Sequence, residues 1–81
     1  MPYAVVFSEE CEAVSPSAKA RVLERLREIG EAVERMSENS ALMSSMARSR
    51  MEIAVDDWWF YYQVQPLQRR MIVLHAVPLR G

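Results

Sequence analysis

Apolar and polar side chains recur along this chain with two different periods, and the change between them divides it into a helical part and a stranded part. In the first half Val22, Leu26, Ile29, Val33 and Met36 step by four, three, four and three, with Leu23 beside them. That spacing lines one face of an α-helix. Lys19, Arg21, Arg25, Glu28 and Arg35 occupy the opposite face. From Arg50 onward the period is two. Met51, Ile53 and Val55 fall on one side of an extended segment, and Arg50, Glu52 and Ala54 on the other, as a half-buried strand requires. Trp58 to Val64 is aromatic on both faces, which predicts a strand in mid-sheet with something covering each side. Met71 to Val77 is a further strand, stopped by Pro78.

The residues between these segments predict how they connect. Asp56-Asp57 and Gln65-Pro66-Leu67-Gln68 read as turns, so the last three strands form an antiparallel meander. Tyr3 to Phe7 is a short β-prone run and the first strand. Ser8, followed by Glu9 and Glu10, predicts an N-cap that opens a brief helix ending near Val14. Ser15 as N-cap and Pro16 at the first helical position restart the helix. Gly30 costs the long helix about 1 kcal/mol against alanine unless a neighbour packs closely on it. Residues 37–49 are rich in Ser and Met and read as a mobile linker holding at most a helical turn at Leu42 to Ala47. The predicted fold class is α+β, in the order β-α-α-β-β-β, with the helices packed on one face of a small antiparallel sheet. Residues 1–81 form a single domain.

Composition narrows the chemistry. The 81 residues are 51% hydrophobic and 26% charged, a globular balance and not a disordered one. A core this small leaves stability marginal, a setting in which partners often contribute. Cys11 is the only cysteine and His75 the only histidine. Zinc sites need three or four such ligands, so no metal site is expected, and no motif calls for a cofactor. The start Met1-Pro2-Tyr3 has neither a basic leader nor a long apolar run, so a cytoplasmic, non-membrane setting is expected. Ten basic and eleven acidic groups nearly cancel, yet residues 41–81 carry five arginines against three acids. Arginine suits planar contact with phosphate or carboxylate.

The element order, the opening Tyr-Ala-Val-Val-Phe-Ser-Glu-Glu, the strand Tyr61-Tyr62-Gln63-Val64 and the later Ile72-Val73-Leu74-His75-Ala76-Val77 together resemble the RelE/ParE superfamily of bacterial type II toxin–antitoxin toxins, over nearly the whole chain. The resemblance implies helices over one sheet face and a concave site on the other. RelE-like members cleave messenger RNA on the ribosome by 2′-hydroxyl attack, whereas ParE-like members inhibit DNA gyrase and lack that catalytic set. Both kinds are neutralised by an antitoxin that wraps around them. The family strand reads aromatic-Arg-x-x-Tyr; here Trp58, Trp59 and Tyr62 fill those positions, so the arginine has become Trp59. Arg50 and Glu52 fall where RelE-like enzymes place basic residues, and one of the two is acidic. The family commonly ends with an arginine and a tyrosine or histidine, where this chain reads Leu79-Arg80-Gly81.

The alternation puts Trp59, Tyr61 and Gln63 on one face of the central strand. Arg50 and Glu52 can share that face, and His75 joins them in one of its two registers. Cleavage of RNA needs a base, an acid and positive charge at the phosphate. Glu52 or His75 would be the base, Arg50 and Arg80 the charge, and Trp59 or Tyr61 a platform for a nucleobase. The resulting expectation is a toxin-like protein, with an antitoxin as partner and messenger RNA or DNA gyrase as target. The alternative is a non-catalytic module on the same fold, binding a protein or a second copy of itself through the Trp59 and Tyr61 face. Whether the chain is an enzyme stays open between the two.

Overall fold

The computed structural model of the chain describes residues 3–36 and 40–79. Strand β1 (Ala4–Phe7) leads through one 3-10 turn (Glu9–Cys11) into helix α1 (Pro16–Glu34). Helix α2 (Ala41–Arg48), strand β2 (Met51–Val55) and strand β3 (Trp58–Gln65) follow, and a second 3-10 turn (Pro66–Gln68) joins β3 to strand β4 (Arg70–Pro78). The α+β class is the one expected, and the order is roughly so: the brief helix expected from Ser8 to Val14 is a single 3-10 turn at Glu9–Cys11, and the second helix is α2, within the segment expected as a linker.

Local chemistry explains where α1 begins and which way it faces. The Ser15 hydroxyl accepts the Ala18 N–H at 3.2 Å, and Pro16 occupies the first turn, where a missing N–H leaves nothing unsatisfied. Ala18, Val22, Leu26, Gly30 and Val33 form the buried stripe. They meet Phe60, Tyr62 and Val64 of β3 and Met71 and Val73 of β4 in one core. Each fully buried large side chain there contributes roughly 1.5–3 kcal/mol. At Gly30 a Cβ would lie 3.4 Å from Tyr3 Cβ and 3.6 Å from Met71 Sδ, so the glycine sits where the end of the sheet comes close to the helix.

Residues 41–48, expected as part of a loop, are helical. Ser40 caps α2 by accepting the Met43 N–H at 3.0 Å, and Met43 is buried in the core. The helix is too short to announce itself by period; Met43 is its one fully buried side chain, and Met46 packs beside it against the core. Residues 37–39 of the same segment lie outside the described residues.

The sheet order is β1-β4-β3-β2. The meander β2-β3-β4 is antiparallel, as the two turns require. β1, however, pairs parallel with β4, Ala4 opposite Arg70 and Phe7 opposite Val73. The sheet is therefore mixed and not wholly antiparallel. No hairpin joins β1 to β4, so nothing in the turns fixes their relative direction. Asp56 takes a left-handed backbone angle (φ 56°) in the first turn and Arg69 another (φ 50°) at the end of the second. Aspartate tolerates that region better than most residues. Among the described residues no helix is long and apolar enough to cross a membrane.

Candidate functional site

The sheet has two faces, and the strand registers say which side chains stand on the outer one. Phe60, Tyr62 and Val64 are buried against the helices. Alternation then turns Trp59, Tyr61, Gln63 and Gln65 outward. Across the sheet the outer rows are Ala54–Trp59–Val77, Glu52–Tyr61–His75, Gln63–Ile72–Val6 and Gln65–Arg70–Ala4. Trp59 and Tyr61 are only partly covered, and neither packs beneath α1.

The second row brings an acid, a phenol and an imidazole side by side. The Tyr61 and His75 rings stack with centroids 4.5 Å apart and planes 21° from parallel. The Arg50 guanidinium carbon stands 4.9 Å from the centroid of the same Tyr61 ring. Arg50 immediately precedes β2 and His75 lies on β4, the two strands that flank β3, so Tyr61 stands between a cation and an imidazole. Exposed Glu52 is the residue opposite Tyr61 on β2. A cation–π contact of this kind at an exposed site contributes about 0.5–1 kcal/mol. Three of the four residues expected to be catalytic, Arg50, Glu52 and His75, thus share one patch with Tyr61. The fourth, Arg80, lies outside the described residues.

The other two binding candidates behave differently. Gln63 does not simply face outward: its amide donates to the Ala47 carbonyl of α2 at 3.4 Å, which ties the helix to β3. Trp59 sits one row away from the stack, between Ala54 and Val77, and its indole N–H is buried without a hydrogen-bond partner. Arg70, which no motif singled out, donates to the Gln65 side chain across the strand pair. Val6 and Val77 complete the apolar part of the face, 38% and 43% exposed.

His75 reaches this face because β4 is irregular. Tyr62 pairs with Val73 but Tyr61 pairs with His75, so Leu74 has no residue opposite and the strand bulges there. Ser8 meets that bulge. Its hydroxyl, expected to cap a helix, makes no cap hydrogen bond and donates instead to the Leu74 carbonyl. The contact of Ser8 with Leu74 is not legible in the sequence, since no glycine or proline marks the bulge.

On the core side, burial pushes the Tyr62 hydroxyl above its ordinary pKa and, as the largest cause, does the same to the Cys11 thiol. Both groups are therefore neutral at physiological pH and belong to the core. Among the described residues no three His, Cys, Asp or Glu side chains are grouped to hold a metal ion. Comparisons of the chain with protein-family models, with curated proteins and with solved structures give no match.

Proposed function

We propose that this chain is a toxin-like component of a bacterial type II toxin–antitoxin module that acts on RNA through the outer face of its sheet. The observation that carries the reading is the shared patch of Arg50, Tyr61 and His75, with Glu52 opposite Tyr61. In the proposed reaction Glu52 or His75 takes the proton of a ribose 2′-hydroxyl. The 2′-oxygen then bonds to the adjacent phosphorus while the bond to the 5′-oxygen breaks and that oxygen takes its proton from solvent. The guanidinium of Arg50, joined by that of Arg80, offsets charge on the phosphate, and Trp59 or Tyr61 stacks a base. The cellular partner is an antitoxin that covers this face.

Induced expression in a bacterium, with mapping of transcript ends, tests the reading. Growth arrest with new transcript ends is expected. Arg50→Ala and His75→Ala should each relieve the arrest, and His75→Ala should lower cleavage by about 100-fold, the loss typical of a removed acid–base group. Cleavage that persists unchanged in both variants would overturn the reading.

A second reading is favoured by Trp59, which stands where an arginine would support the phosphate and adjoins exposed Val77. An aromatic beside aliphatic surface suits a protein partner. Here the chain binds its target, DNA gyrase or another protein, or a second copy of itself, without chemistry. Growth arrest with every transcript intact selects this reading.

A further inference from the structure

Whether His75 faces Tyr61 depends on a single residue of β4. Met71 and Val73 point into the core. Counting onward in twos would send His75 inward too and put Leu74 on the outer face. The bulge at Leu74 resets the count, so His75 emerges opposite Tyr61 and Ala76 turns back to the core. An extra residue in a strand interrupts the ladder there, and its carbonyl needs a partner from elsewhere.

β1 delivers that partner. The strand ends at Phe7, opposite Val73, and the next residue is Ser8. Its N–H donates to the Val73 carbonyl at 3.0 Å and its hydroxyl to the Leu74 carbonyl. The buried Cys11 thiol closes on the same Val73 carbonyl at 3.8 Å. We infer that Ser8 is a positioning residue for His75: its hydroxyl pins the Leu74 bulge, and the pinned bulge holds the imidazole on the outer face against Tyr61. A slip of one residue would return His75 to the core side and dissolve the stack. The outer patch is thereby governed from the far edge of the sheet by a side chain that takes no part in it.

The geometric claim stands apart from the RNA-cleaving reading, and only its activity arm rests on that reading. Proton NMR of the full chain reads the geometry, because the Tyr61 ring current shifts the His75 imidazole signals and Tyr61→Leu calibrates that shift. Ser8→Ala should abolish the shift while the core methyl signals of Val22 and Leu26 persist, and Ser8→Thr should retain it. Deleting Leu74 removes the bulge and makes the ladder regular, with Val73 and His75 still opposite Tyr62 and Tyr61. In that background Ser8→Ala should no longer matter. Retention of the shift in Ser8→Ala, or its loss only when Ser8→Ala is added to the deletion, would overturn the inference. If Ser8→Ala alone fails to fold, the deletion pair decides. Where the wild type cleaves RNA, Ser8→Ala should cut cleavage about ten-fold or more, toward the loss from removing an acid–base group, and Ser8→Thr should restore it. A wild type that does not cleave removes the nuclease reading and leaves the ring-current result to decide the role of Ser8.

Discussion

Tyr61 and His75 lie opposite each other on β3 and β4 with their rings 4.5 Å apart and nearly parallel, while Phe60, one residue before Tyr61, is wholly buried on the other face. Two adjacent aromatics of one strand therefore do unlike work. Phe60→Ala leaves a cavity in the middle of the core and should cost about 3–5 kcal/mol. Tyr61→Leu removes a stacked pair and a cation–π contact and should cost only ~1–2 kcal/mol. Urea denaturation of the two variants measures the contrast, and equal losses would mean that the faces are wrongly assigned.

Gly30→Ala should stabilise the chain. The new methyl would sit at 3.4 Å from Tyr3 Cβ and 3.6 Å from Met71 Sδ, ordinary contact distances, while the helix gains about 0.5–1 kcal/mol of propensity. Thermal melting of the variant against the parent chain reads the sign, and a lower melting temperature would mean that the 3.4 Å approach to Tyr3 Cβ is too tight.

Alkaline solution should destabilise the fold from about pH 9 upward. Burial raises the Cys11 thiol above its ordinary 9.0 and the Tyr62 hydroxyl above its ordinary 10.0. The unfolded chain then loses these protons at lower pH than the folded one, so the native state binds more protons and stability falls as pH rises. The contribution is complete below the unfolded values and is lost as pH climbs through the folded ones. Urea midpoints between pH 8 and 11 should decline in two overlapping steps, and Cys11→Ala should remove the earlier one.

Trp59→Arg tests the RNA reading from the other direction. It places a guanidinium beside the Tyr61 row, where RelE/ParE-like strands carry one, and sacrifices an indole N–H that has no hydrogen-bond partner. Cleavage of RNA should rise, by up to ~100-fold if the new cation meets the phosphate. A binding module with no chemistry would gain none, and would lose affinity for its protein partner instead.

Much of this was legible in the chain. The alternation put Met51, Ile53 and Val55 on one face of β2 and Trp59, Tyr61 and Gln63 on one face of β3, because a side-chain period of two leaves no third choice. Ser15 and Pro16 fixed the start of α1 by their hydrogen-bonding chemistry. Three features were not legible. The direction of β1 is set by β4, a partner far along the chain, and not by any local turn. α2 is eight residues long and fully buries only Met43, too little for a periodic signal. The face of His75 depends on the bulge at Leu74, and neither a glycine nor a proline marks that bulge. A cluster assembled from Arg50, Glu52, Tyr61 and His75 could be drawn up from the strands, but its last member was undecided by one residue of register.

The pairing of β1 with β4 also dictates when the molecule can become itself. Ser8 and Leu74, which hydrogen-bond at that seam, are 66 positions apart. During synthesis Ala-Val-Val-Phe therefore leaves the ribosome long before its mate exists, and must wait while the intervening chain is made. Loop closure over such a distance comes late and slowly. Until then the first strand is an uncovered apolar ribbon, open to whatever binds nascent chains.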